Sequence, residues 1–216
     1  MFDTPEGQTN PYYSQITDTA AYFLTWNSET DNKRYTTTGF DPDGAQNTNM
    51  GTAQSLTMYT GNLYLGEEFP EYQENKGWFD NATITLGNSR TKNMPLPGIQ
   101  NTGTPITIET AVVSFGDATA FGDNHHLQIE FPNGYIFDTT FSGKVAIIKN
   151  FSINTSDLAE NNSIIYRSID DLGVATDNMA VSHIYTTYPA AFDLTDMEMQ
   201  TFRVNKSTNS QIITLE

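Results

Sequence analysis

Apolar residues in this chain recur at alternate positions over short runs, and Gly, Asn, Asp and Pro interrupt those runs. That is the period of a strand with one buried face. It is clearest where Ala82, Ile84 and Leu86 alternate with threonines, and where Leu127, Ile129 and Phe131 share a face. The pattern predicts strands over Ala20–Trp26, Ala82–Leu86, Ile106–Phe115, Asn124–Phe131, Tyr135–Thr140 and Val145–Ile153. Further strands are predicted over Ser163–Ile169, Ala180–Tyr188, Gln200–Val204 and Gln211–Leu215. Leu56–Leu65 reads as one bulged strand or two short ones, around Gly61-Asn62. Pro132-Asn133-Gly134 joins two of the strands as a hairpin. Thr155–Asn162 is the one short helix candidate, with Ser156 as its cap and Asp157 and Glu160 favouring its amino end.

Between the strands, turn chemistry dominates. Residues 1–19 form a turn-rich segment. The run FDPDGAQNTN at Phe40–Asn49 reads as a loop, because Pro, Gly and short amide or carboxylate side chains favour turn geometry. Asn88–Thr104 reads as a long loop, and Asn205–Asn209 as a tight polar connection. With no low-complexity linker and no internal repeat, residues 20–216 are expected to form a single antiparallel β-sandwich.

Composition narrows the function classes. Hydrophobic residues make up 37% and aromatics 12%, enough for a real core, while only 17% are charged. Polarity without charge suits the turns and open strand faces of an extracellular β protein. The net charge of −16, with ten Lys and Arg in all, argues against nucleic acid, whose phosphate backbone needs clusters of Lys or Arg, and against an anionic bilayer. No stretch approaches the roughly 20 apolar residues of a membrane span. The start, Met1–Gly7, lacks the basic and apolar regions of a signal peptide. In a chain that otherwise reads as secreted, this suggests a fragment of a larger protein, and Leu215-Glu216 reads as a remnant after a strand. The absence of cysteine removes a cysteine nucleophile, a disulfide framework and a thiolate metal site.

Candidate chemistry is sparse. His125 and His126 are adjacent in a strand, so they point to opposite faces and do not bind one metal together. With His183 on another strand, hydrogen-bonded structural histidines are the better account. Asp41 and Asp43 flank Pro42 before Gly44, and calcium prefers such loop oxygens, although the full twelve-residue motif is missing. Asp117 with Asp123, and Asp170 with Asp171 and Asp177, are similar fragments; ordinary turn capping is the competing reading. Trp26, Trp78, Tyr12, Tyr13 and Tyr72 are candidates for a sugar-binding platform, so a free-standing carbohydrate-binding module is the alternative function. Ser114-Phe115-Gly116-Asp117 is a strand end, not a nucleophile elbow, and nothing selects a carboxylate pair for glycoside hydrolysis. No catalytic residue is assigned.

Several segments together resemble the region ahead of the catalytic domain in gingipain-like C25 peptidases, in particular the type IX secretion sortase-like members. They are NPYYSQITDTAAYFLTWN at Asn10–Asn27, Lys33-Arg34-Tyr35, Gly77-Trp78-Phe79-Asp80, DNHHLQIEFPNG at Asp123–Gly134, DTTFSG at Asp138–Gly143 and VSHIYTTYPAAFDL at Val181–Leu194. The resemblance implies a jelly-roll-like β domain on a secreted or outer-membrane-associated protein, followed by a peptidase domain carrying a Cys–His pair. None of the catalytic residues of that domain maps onto this chain. The expected role is a noncatalytic accessory domain packed against the adjacent peptidase domain, with secreted protein clients as further partners. Trp78, Tyr188, Pro189 and Phe192 are the expected contact residues, against local core packing as the competing reading.

Overall fold

Alternation becomes strand throughout the residues described in the computed structural model, which are 9–12, 46–48, 50–64, 77–116, 122–192, 201–203 and 211–213. In chain order the strands are β1 (Gln46–Thr48), β2 (Met50–Met58), β3 (Asn62–Tyr64), β4 (Gly77–Phe79), β5 (Ile84–Thr85), β6 (Ser89–Pro95) and β7 (Ile106–Ser114). They continue as β8 (His125–Glu130), β9 (Ile136–Phe141), β10 (Ala146–Ile153), β11 (Asn161–Ser168), β12 (Asn178–Ala191), β13 (Thr201–Arg203) and β14 (Gln211–Ile213).

Two antiparallel sheets face each other in a sandwich-like arrangement. One runs β10-β7-β12-β2-β13, with β5 also paired to β12; the other runs β6-β11-β8-β9. Their inner faces supply the core: Ile106, Ile108 and Val112 from β7, with Val181, Ile184 and Tyr188 from β12, meet Leu127 and Ile129 from β8 and Ile164 and Tyr166 from β11. Each such side chain stabilises the fold by roughly 1.5–3 kcal/mol relative to exposure. Two-stranded pairs accompany the sandwich: β3 with β4 antiparallel, and β1 with β14 parallel.

The long strand β12 is central because it has partners on both edges. β7 follows it from Met179 to Thr187, while β5 and then β2 cover the other edge. Its register against β7 shifts between Val181 and His183. Such a bulge re-aims the chain. Val181 and Ile184 both enter the core, while Ser182 donates its hydroxyl to the Trp78 carbonyl at 2.8 Å. Tyr166 and Thr110 meet below the bulge at 2.8 Å, and Thr110 donates to the His183 carbonyl at 3.0 Å. With the Thr110 proton so used, the Tyr166 hydroxyl is the donor to Thr110.

Some expectations change. Leu56–Leu65 resolves into the end of β2 and a separate β3. Asn88–Thr104 is not all loop, since β6 pairs with β11 from Ser89 to Pro95. Its large inward apolar residue is Met94, so an edge strand of polar residues carries little alternation to read. Ala82–Leu86 shortens to Ile84–Thr85, because Asn88 turns back to the Thr85 carbonyl. The helix candidate is one 3-10 turn, Thr155–Asp157, started by Asn154. Ser156 bonds Asp157 instead of capping, and Asn162 accepts from the Ala159 N–H and donates to its carbonyl, which ends the turn. Within FDPDGAQNTN, Gln46–Thr48 is strand, held by β14. The predicted strand Ala20–Trp26 lies outside the described residues, as do Asp41 and Asp43.

Candidate functional site

The end of β12 opens into a cleft that involves a predicted contact residue, Pro189. Beyond the bulge His183, Tyr185, Thr187 and Pro189 alternate onto the outer face of the sheet, opposite the inward Ile184, Tyr188 and Ala190. Thr52 on β2 pairs with Pro189, and Thr107 on β7 pairs with Thr187, so threonines from neighbouring strands gather on one surface. The loop from Pro97 to Pro105 closes one side. It is clipped to β12 by Gln100 N–H to the Pro189 carbonyl (2.9 Å), Ala191 N–H to the Gly98 carbonyl (3.0 Å) and the Tyr188 hydroxyl to the Pro97 carbonyl (3.3 Å). Gly98 turns the loop at φ +67°, a conformation that favours glycine. The result is an open cleft of about 280 Å³, lined by Met50, Thr52, Thr104, Thr107, Thr187 and Pro189 among others. Among the described residues, no charged side chain lines it.

The predicted contact residues separate here. Pro189 is half-buried on the cleft wall, whereas the Tyr188 side chain points into the core at 1% exposure. Phe192 is 2% exposed, against the Cα of Gly51: a Cβ built there would lie 2.6 Å from its ring. Trp78 is half-buried on β4, beside the bulge and away from the cleft. The threonines were not singled out in the sequence. The spacing of Thr102, Thr104 and Thr107 was a signal, but only pairing with Thr52 and Thr187 makes it a surface. Of the candidate sugar platform, Tyr12 and Trp78 are described, Tyr12 with its ring on His183 and Tyr185 and Trp78 with its carbonyl bonded to Ser182; Trp26, Tyr13 and Tyr72 lie outside the described residues.

The three histidines serve internal networks. His125 is fully buried, with Nδ1 2.5 Å from Asp177 Oδ1 and Nε2 3.0 Å from the Gly116 carbonyl, and its ring stacks on Phe141. Ser168 donates to the second Asp177 oxygen at 2.6 Å. Both ring nitrogens face oxygen acceptors. Burial alone lowers the imidazole pKa, but the hydrogen bonds to Asp177 and Gly116 outweigh it and leave His125 raised. His126 points to the other face, between Asp171 (2.8 Å) and Asp138 (3.0 Å); these bonds likewise overcome burial and raise it. His183, fully buried, faces Glu109 at 3.1 Å through Nε2, and its Nδ1 is without a partner. There burial prevails over Glu109, and the pKa is lowered. Tyr12 closes this site, its hydroxyl 3.0 Å from the same Glu109 oxygen and its ring edge-on to His183. Among the described residues, no group of three or more His, Asp or Glu is placed to hold a metal ion. Among them also, no helix is long and apolar enough to cross a membrane.

No protein-family profile matches the sequence, and no curated protein is similar to it at a significant level. Distant, partial structural likenesses exist. Dimeric latent PorU from Porphyromonas gingivalis is similar at 13% identity and a TM-score of 0.47, over 69% of this chain and 14% of that one. The CBM36-1 domain of a multidomain xylanase from the hindgut metagenome of Trinervitermes trinervoides is similar at 11% identity and a TM-score of 0.31, over 62% of this chain and 95% of that domain. The infectious bursal disease virus Gx strain structure is similar at 12% identity and a TM-score of 0.28, over 73% of this chain and 36% of that one. The chain thus spans about a seventh of the PorU chain. At TM-scores of 0.47 and below, these likenesses assign neither family nor function.

Proposed function

We propose that the chain is a noncatalytic accessory or interaction domain of a secreted or cell-surface C25-type peptidase, packing against or supporting the protease domain. The observation that carries this reading is where VSHIYTTYPAAFDL falls. The segment that resembles the approach to the protease forms most of β12, and its Thr187–Pro189 end opens into a charge-free cleft. Hydroxyls and half-buried apolar side chains suit contact with another chain. The histidine and carboxylate groups that chemistry would need are instead bonded to one another. The sheet orders β10-β7-β12-β2 and β6-β11-β8-β9 support a jelly-roll reading of the sandwich, a fold of eight strands in two Greek keys. An extracellular or outer-membrane surface location and a structural calcium at Asp41 and Asp43 belong to the same proposal.

The reading frame of the intact gene tests it. An in-frame Cys–His peptidase domain after this segment supports the accessory role, and a stop codon directly after Glu216 overturns it. With that domain attached, amide exchange around 50–52, 102–107 and 187–189 should slow. Unchanged exchange there would remove the cleft as the contact surface.

A further inference from the structure

A second surface at the same end of the sandwich has a different chemistry. The hairpin turn between β8 and β9 places Gly134 at φ +78°, with Gly134 N–H bonded to the Phe131 carbonyl and Tyr135 N–H bonded to the Asn133 side-chain oxygen at 3.1 Å. This geometry leaves the Tyr135 side chain outside, 50% exposed. Its ring is braced from beneath. Phe131 lies 5.9 Å away and Phe151 6.3 Å away, these two are 4.5 Å apart, and Phe137 packs edge-on against Phe151. Beside Tyr135, Asn133, Asn150, Phe151 and Ser152 complete a cleft of about 270 Å³. On the other flank of the turn, a wider cleft of about 650 Å³ is lined by Asn93, Pro95, Pro132, Asn161, Asn162 and Ser163.

The two clefts lie on either side of Pro132-Asn133, and among the described residues neither is lined by a charged side chain. In a protein of net charge −16, that neutrality selects its ligand. With no carboxylate or ammonium group among their described lining residues, the two clefts give a cation or a phosphate no direct counter-charge; the Lys149 ammonium stands outside the linings, 6.0 Å from the centroid of the Phe137 ring. A carboxamide offers both donors and an acceptor on one planar group, matching adjacent hydroxyls that each donate and accept. With its oxygen held by the Tyr135 N–H, Asn133 keeps its amide N–H₂ for a ligand. An aromatic face already fixed by neighbouring rings adds apolar contact at little further entropic cost. A pyranose ring presents this combination, with C–H groups on one face and hydroxyls around the rim.

We infer that Tyr135, with Asn133 and Asn150, forms a binding subsite for one residue of a neutral saccharide, and that the asparagine-lined cleft across the turn receives the next part of its chain. The subsite is independent of the accessory role, because it shares no lining residue with the threonine cleft on β12. It holds no acid–base pair, so it binds sugar without cleaving it.

An array of neutral gluco-, xylo- and manno-oligosaccharides beside uronic-acid oligosaccharides tests this, followed by titration calorimetry on any hit. The expected result is binding of a neutral class that persists in high salt. Tyr135→Ala should weaken it about tenfold or more and Tyr135→Phe by much less, because the ring face supplies the contact. Asn150→Ala, on an exposed strand position, should weaken it while leaving the melting temperature unchanged. Thr187→Val on the β12 cleft should leave it intact. No binding to any neutral member, binding confined to uronic acids, or binding indifferent to Tyr135→Ala would each overturn the assignment. A lower melting temperature in Tyr135→Ala is read against Tyr135→Phe, which keeps the ring cluster and must still bind.

Discussion

At the residue scale the histidines matter most, because their environments push them in opposite directions. His125 gains hydrogen bonds to Asp177 and Gly116 that raise its pKa above the ordinary 6.5. Its folded form binds the proton more tightly than the unfolded chain, so its contribution is full below 6.5 and fades as pH rises through the raised value. His126 acts in the same sense through Asp171 and Asp138. His183, pressed down by burial under Tyr12 in spite of Glu109, contributes in the reverse sense: stability is held above 6.5 and lost as pH falls through the lowered value. Thermal melting against pH should therefore fall on both sides of that value. His183→Gln should flatten the acid limb just below 6.5 and leave the alkaline limb; an unchanged acid limb would remove His183 as its source. His125→Ala leaves the buried Asp177 without its imidazole partner and should cost about 3–5 kcal/mol in denaturant unfolding. The sequence showed that His125 and His126 face opposite ways, because strand geometry requires it. It did not show their carboxylates, which arrive from 12 to 52 residues away.

At the scale of elements, β12 shows how a local irregularity is stabilised by its neighbours. Just past the register shift the His183 carbonyl accepts from the Thr110 hydroxyl, which in turn accepts from Tyr166, so two buried hydroxyls form a chain to the bulged strand. Thr110→Val keeps the shape and removes the hydroxyl. It should cost about 1–3 kcal/mol, since a buried carbonyl and the Tyr166 hydroxyl lose a partner. Double-mutant unfolding with Tyr166→Phe measures the coupling, and additive losses would show that the two hydroxyls do not act together. Gly51 on β2 has a steric role, with the Phe192 ring and the Arg203 carbonyl where a methyl would stand. Gly51→Ala should destabilise by about 1–3 kcal/mol through overpacking. A near-neutral result would mean that Phe192 moves aside freely. The strong strands β7 to β10 were legible because their apolar residues alternate and their turns carry Gly or Pro. β6 was not, since an edge strand with one solvated face and a terminal Pro95 needs little apolar pattern.

At the scale of the whole molecule, the described surface divides by chemistry. The clefts built from Thr, Asn, Ser, Pro and Tyr lie where β2, β7 and β11 begin and where β6, β8, β10 and β12 finish. The buried His125–Asp177–Ser168 network sits toward the opposite end, beside Gly116 and Gly143. If the threonine cleft contacts a protease domain, Thr52→Lys with Thr187→Lys should weaken that contact at least tenfold in a binding assay while the isolated chain melts as before. Equal binding by the double variant would rule out this face. The sequence by itself determined the all-β class and the core strands β7, β8, β11 and β12, though not β6 or the start of β2, because period-two burial is written into adjacent residues. It also determined the lack of a cysteine nucleophile, and the charge balance that disfavours nucleic acid. Only the tertiary structure decided which residues share a surface. Thr52, Thr107 and Thr187, or Asn93, Asn133 and Asn161, are distant in the chain, and sheet register, set by burial of the opposite face, brings them together.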